Sequence, residues 1–323
     1  MRYDIVRGVR HGLQSQRSAY GGRDRAFLWE LNMRTFFDCV PCFVRQALDS
    51  VRRATDDETV HEQVLRETLR AISEMDLWES PPAMGQKIHR FIREHLGECD
   101  PYREMKDQSN QLALELYPAL KSRIESSANP LETAVRLAIA GNIMDVAVKG
   151  DVGQIDVNEA IEDALTGPFD GDVQEFASAV STANSILYLA DNAGEIVLDC
   201  LLIEQLPLEK VTVAVRGAPV INDATMVDAR AAGLTELVDV IDNGSDVPGT
   251  IINECGEVFR RRYAEANLVI AKGQGNYETL SEENKDIFFM LKVKCPVIAR
   301  DIGCEVGSLV MRRLNRAHVC HKW

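Results

Sequence analysis

From about residue 34 to 165, apolar positions recur at intervals of three and four. CFVRQALDSVRRA, HEQVLRETLRAISEM and MGQKIHRFIREHL each place charged residues between those positions, the pattern of helices with one buried face. Pro81-Pro82 and Gly97 interrupt the run. DPYREMKDQSNQLALELYPALKSRI resumes it, with Asp100-Pro101 as a start signal, and NPLETAVRLAIAGNIMDVAV begins a further helix at Asn129-Pro130. Residues 151–180 read as two shorter polar helices around Gly167-Pro168.

After residue 184 the period changes. SILYLA, KVTVAVR, LVDVID, NLVIAKG and KCPVIAR are short β-branched or apolar runs, with helical or turn-like stretches between most of them. Alternation of this kind predicts a mostly parallel sheet covered on both faces. The expected fold class is therefore α/β: an N-terminal all-helical domain over 33–180 and a Rossmann-like α/β domain over 181–323. Residues 1–32 carry six arginines and a Gly-Gly with no sustained period, and read as a disordered extension, with Met33 a natural beginning.

Composition narrows the class. The chain has 323 residues, 46% hydrophobic and 27% charged, ample for a core. A net charge of −14 argues against broad affinity for nucleic acid or anionic membranes, while leaving room for a local phosphate pocket. No apolar run reaches the roughly 18 residues that span a bilayer; IFFMLKV is of core-strand length. Eight scattered cysteines suit a reducing cytoplasm better than a disulfide framework. Cys39-Val-Pro-Cys42 has metal or redox spacing, but zinc needs about four ligands, and the other crowded stretch is His318-Val-Cys320-His321. No feature specifies an oligomeric state.

In open parallel sheets, ligands bind beyond the carboxyl ends of the strands. Four strand ends here are polar: Asp191-Asn192-Ala-Gly194-Glu195, Arg216 through Asn222-Asp223 to Thr225, Asp242-Asn243-Gly244-Ser245, and Lys272-Gly273-Gln274-Gly275-Asn276. Asp191, Asn192 and Asp223 are hard oxygen donors suited to Mg²⁺ or Mn²⁺ and tolerable to later ions. Lys272, with backbone N–H groups near Gly194 and Gly273, suits an anion such as phosphate. Glu195 is placed to orient or deprotonate a water, and Asp223 could instead attack phosphorus directly. Each motif also has a plain structural use: Asp191-Asn192 and Asn222-Asp223 as helix caps, Lys272-Gly273 as a turn.

The ordered set CVPC, DPYREMKDQSN, AIAGNIMD, LADNAGEIVLD, RGAPVINDAT, VIAKGQGNYETL and LKVKCPVIA resembles the damage-control phosphatase family, catalogued as domain of unknown function 89, over about residues 34–311. The CxxC and Lys-Cys-Pro segments look like its stand-alone prokaryotic branch. The resemblance implies a metal-dependent phosphatase acting on small phosphorylated metabolites, with a divalent ion (Mg²⁺, Mn²⁺, Co²⁺ or Ni²⁺) on Asp191, Asn192 and Asp223, and Lys272-Gly273 beside the phosphate. It also suggests that Asn142 and Asp145 face the cleft. Arg216, Asn222 and Asn276 complete the expected substrate-binding set. The competing readings are an S-adenosylmethionine-dependent methyltransferase and a non-catalytic phosphometabolite-binding module.

Overall fold

A computed structural model describes residues 33–97, 100–141 and 157–315. Three helices open it: α1 (Val40–Ala54), α2 (Glu58–Glu74) and α3 (Pro81–Leu96). Asp57 starts α2 by accepting from the Thr59 amide at 2.8 Å, and Pro81-Pro82 occupy the first turn of α3, where no amide donor is needed. Their apolar faces meet in a core of Phe43, Ala47, Val51, Val64, Met84, Ile88 and Ile92. The next two helices, α4 (Arg103–Glu125) and α5 (Pro130–Ala140), pack differently. Ala113 and Leu120 of α4 and Ala134 and Leu137 of α5 share one continuous core with the sheet residues Tyr188, Val213 and Ile270. The described residues from Arg34 onward form one compact unit.

After α6 (Val157–Thr166), β1 (Phe169–Asp170) and α7 (Val173–Thr182) comes the alternating region. Its elements are β2 (Ile186–Leu189), α8 (Glu195–Ile203), β3 (Val211–Val215), α9 (Met226–Ala231), α10 (Leu234–Leu237), β4 (Asp239–Asp242) and α11 (Glu257–Glu265). There follow β5 (Leu268–Lys272), α12 (Gly273–Leu280), β6 (Asp286–Lys292), α13 (Pro296–Ile302) and β7 (Leu309–Asn315). The seven strands lie in the order β1-β7-β6-β5-β2-β3-β4, and only the β6–β7 pair is antiparallel. This is the α/β fold that the alternation predicts. β2 and β5 are buried along their whole length, which is why they read as unbroken apolar runs.

Two details depart from the expected layout. KCPVIAR is not a strand: Cys295 is extended, Pro296 takes the first helical turn, and the segment continues as α13. The strand is the preceding DIFFMLK, and β1 and β7 add two more. Among the described residues no helix is long and apolar enough to cross a membrane.

The strand order matters for the site. From β2 the chain winds outward through β3 and β4, then returns to place β5 on the other side of β2. Connections leave β2 and β5 in opposite directions, so a crevice opens beyond their carboxyl ends. Leu189 is in register with Ala271, which puts Asp191 and Gly273 at the same level on that rim.

Candidate active site

The crevice collects the β2, β3 and β5 loops. The chain after β3 folds back so that Asn192 and Asp223 form an isolated antiparallel bridge, and the Ala224 amide donates to Asp191 O at 2.8 Å. Asp191, Asn192 and Asp223 are thereby brought side by side, each at most 7% exposed. Ile221, a β-branched residue held at φ 44°, marks backbone strain in the turn that presents Asp223.

Gly273 makes this convergence possible. Its φ is +78°, and a β-carbon there would stand 1.9 Å from Asp191 Oδ2. Only a residue without a side chain lets the start of α12 close on the carboxylate.

The electrostatics follow from crowding. Burial, then the charges of Glu195 and Asp223, hold the Asp191 carboxyl well above the usual carboxylate range. Burial also raises Asp223, against the pull of Arg216, Lys106 and Lys294. Arg216 is 2% exposed; its Nε donates to Asp223 Oδ2 at 2.6 Å, and its Nη2 lies 3.8 Å from Asp191 Oδ1. The guanidinium braces the two acids from within the protein. Asn276, fully buried, lies on the far side of it: its Oδ1 accepts from Thr250 at 2.8 Å and from Arg216 at 3.4 Å, and its Nδ2 donates to Lys272 O at 2.7 Å. Arg216 and Asn276, expected at the substrate, are thus buried and bonded to protein groups around the acids. Asn222 accepts from the Ala193 amide at 2.9 Å through its backbone oxygen, and its Nδ2 is buried with no hydrogen-bond partner among the described residues.

Lys272 is placed otherwise than the sequence suggests. Its Nζ is wholly buried and donates to Ala138 O at 2.8 Å, Glu195 Oε1 at 2.7 Å and Asp199 Oδ1 at 2.5 Å. An ammonium has three protons, and all three are engaged. Burial alone would lower its pKa; Asp199 and Glu195 outweigh that and raise it. Glu195 is equally committed, since Oε2 accepts from Asn192 Nδ2 at 3.0 Å. The Gly194 amide, expected at an anion, instead donates to Asn110 Oδ1 at 2.7 Å. Asn142 and Asp145 lie outside the described residues.

Several contributors were not among the expected residues. Lys294, just beyond β6, is exposed, and its charge acts on Asp191, Asp223 and Glu278. Its place two residues past the carboxyl end of a buried strand is the signal that could have found it. Arg103, Lys106 and Asn110, spaced on one face of α4, all reach Asp228: Arg103 Nη2 at 2.7 Å, Lys106 Nζ at 3.4 Å and Asn110 Nδ2 at 3.0 Å. Asp228 in turn accepts from Thr225 N and Oγ1 at 2.9 and 2.8 Å. The DPYREMKDQSN stretch is therefore the clasp that seats α4 against the loop carrying Asp223.

The donor set fits a divalent cation. Two buried carboxylates whose charged forms repel each other are stabilised by positive charge between them. Asn192 Nδ2 donates to Asp191 Oδ2 at 2.8 Å as well as to Glu195, which turns its Oδ1 away from both. Among the described residues no group of three or more His, Cys, Asp or Glu side chains is arranged to hold a metal; this trio has two such side chains and an amide. Cys39 and Cys42 are free thiols, and burial pushes Cys39 up to about 11. His318, Cys320 and His321 lie outside the described residues.

The fold and this crevice define a class. Residues 35–310 match the family model of the damage-control phosphatase ARMT1-like domain, and the chain belongs to that family. It is 35% identical over 288 residues to a damage-control phosphatase of Archaeoglobus fulgidus, covering 85% of this chain and 97% of the relative. It is 33% identical over 287 residues to a damage-control phosphatase of Pyrococcus horikoshii, covering 87% and 98%. The crystal structure of a duf89 family protein from Pyrococcus horikoshii superposes with a TM-score of 0.79 at 33% identity, over 87% of this chain and 99% of that one.

Proposed function

We propose that this chain is a phosphatase of the damage-control type, dependent on a divalent metal ion and acting on small phosphorylated metabolites. Family membership and the names of its relatives support the phosphatase reading. The observation that carries metal dependence is the pairing of Asp191 and Asp223, buried together at the switch point of the sheet with raised pKa values.

In this reading Asp191, Asp223 and the Asn192 amide oxygen hold Mg²⁺, Mn²⁺, Co²⁺ or Ni²⁺. Such an ion, when bound, polarises a phosphoryl oxygen and acidifies water. The protein's own groups do the rest. Arg216 fixes Asp223 by holding one of its carboxylate oxygens, Oδ2. We assign to Lys294, an exposed ammonium whose charge acts on both acids, the part that the buried Lys272 cannot take, neutralising a phosphate bound beside them. Glu195, with both oxygens engaged, holds Asn192 rather than accepting a proton from water.

The test is phosphate release from a panel of phosphometabolites by metal-stripped protein resupplied with each of the four ions. Release that depends on the added ion supports the reading. Ion binding without release from any ester would favour a binding module instead.

A further inference from the structure

The side chain of asparagine poses a problem as a metal ligand. Its oxygen and nitrogen are nearly the same size, so a half-turn of the amide replaces a donor of electrons with an N–H at no cost in packing. Something must decide which end of Asn192 faces the crevice. We propose that Glu195, pinned by Lys272, is the positioning residue that sets this orientation, an inference that rests on the metal-dependent reading above.

The geometry is a chain of buried groups. Asn192 Nδ2 donates to Glu195 Oε2 at 3.0 Å, and Glu195 Oε1 accepts from Lys272 Nζ at 2.7 Å. Lys272 is anchored in turn by Asp199 Oδ1 at 2.5 Å and by Ala138 O at 2.8 Å, one of the last carbonyls of α5. Exposures along the chain are 4% for Asn192, 2% for Glu195, 0% for Lys272 and 1% for Asp199. An ammonium only donates, so Glu195 presents an acceptor to it, and as a carboxylate presents another to Asn192. A reversed amide would set Oδ1 against Glu195 Oε2, two acceptors with no proton between them.

Asp191 also accepts from Nδ2, but it is itself a proposed ligand and cannot serve as an independent reference. Glu195 can, because its other oxygen is tied away from the crevice. Gly141 closes the remaining freedom: a β-carbon there would lie 3.0 Å from Glu195 Cγ and 3.1 Å from its Cα. The end of α5 thus packs directly on the glutamate, and a side chain at position 141 would press on it.

Glu195→Gln is the sharp test, since it keeps the shape and removes one acceptor. Lys272 captures the new carboxamide oxygen, which turns Nε2 toward Asn192 Nδ2, donor against donor. The Asn192 amide then reverses. The measurement is the Mn²⁺ dissociation constant of the metal-stripped full chain without substrate, read from the electron paramagnetic resonance signal of free Mn²⁺. The variants are Glu195→Gln, Asn192→Ala and the double substitution, each checked for folding by its thermal melt. Glu195→Gln should weaken Mn²⁺ binding about as much as Asn192→Ala, roughly 10-fold or more, as for other outer groups that orient a ligand. In the Asn192→Ala background it should add nothing. If Glu195→Gln does not fold, Gly141→Ala, which pushes on the same side chain from outside, should weaken binding only while Asn192 is present. A variant at Glu195 or Gly141 that binds like wild type, or a loss that persists fully without Asn192, overturns the proposal. Wild-type protein that binds no Mn²⁺ overturns the metal-dependent reading and this inference with it, whereas sensitivity to Asn192→Ala alone removes only the inference.

Discussion

Gly273 and Asp191 are in such close contact that a single methyl group at position 273 would overlap the carboxylate, at 1.9 Å from Oδ2. The glycine also sits at φ +78°, so alanine is disfavoured twice. Gly273→Ala should lower kcat/KM for any phosphate ester by about 100-fold, the scale of an ångström's misplacement at a reacting centre. Steady-state kinetics with the purified variant measures this, and near-normal kinetics would mean Asp191 does not act where it lies.

Lys294 and Lys272 should separate experimentally. Lys294→Ala removes an exposed charge, so the fold should be retained while kcat/KM falls about 10-fold or more, as for the loss of a hydrogen bond to a charged group. The defect should weaken for substrates whose phosphate is replaced by a neutral group in binding assays. Lys272→Ala instead leaves Glu195 and Asp199 buried without their cation, and its first symptom should be a lowered melting temperature.

Asp228 joins α4 to the active-site loop through Arg103, Lys106 and Asn110. Burial would raise its pKa, but Lys106 and Arg103 overcome that and hold it below the usual range. Asp228→Ala leaves the wholly buried Lys106 with Asp100 as its remaining ion pair among the described residues and should cost about 3 kcal/mol or more of stability in urea titration.

His89 supplies a pH dependence. Burial, followed by the charge of Arg93, pushes its imidazole down to about 3 from 6.5, and its Nε2 has no hydrogen-bond partner among the described residues. The folded protein holds it neutral, whereas the unfolded chain takes up a proton below 6.5. Its contribution is therefore fully present above that value and is lost as pH falls toward 3. From about pH 7 to about pH 5, wild type should lose roughly 2 kcal/mol more stability than His89→Gln. Parallel curves for the two proteins would contradict the burial argument.

What could be read in the sequence followed physical range. β2, β3 and β5 were legible because strands buried on both faces are continuous apolar runs. PVIA in 296–299 has the same composition, yet Pro296 suits the first turn of a helix, and the real strand ended four residues earlier. β1, at two residues, carries no period at all.

The site divides along the same line. Asp191, Asn192 and Asp223 could be grouped because sheet topology alone gathers the loops at strand ends, and the structure places them together. The position of Lys272 at the end of β5 is visible in the sequence, but its partners are not. Those come from an α5 carbonyl and from Asp199, one helical turn past Glu195. The Asn110 bond that occupies the Gly194 amide likewise exists only once α4 docks. Long-range polar contacts of this kind leave no local pattern to read.

The central claim is that Asp191, Asn192 and Asp223 share one cation. Crystals soaked in Mn²⁺ test it directly through the anomalous signal of the metal. The account predicts a peak in the crevice bonded to a carboxylate oxygen of each aspartate and to Oδ1 of Asn192, and its loss in Asp191→Ala. A peak held by other residues, in protein whose phosphatase activity that same ion restores, would contradict it.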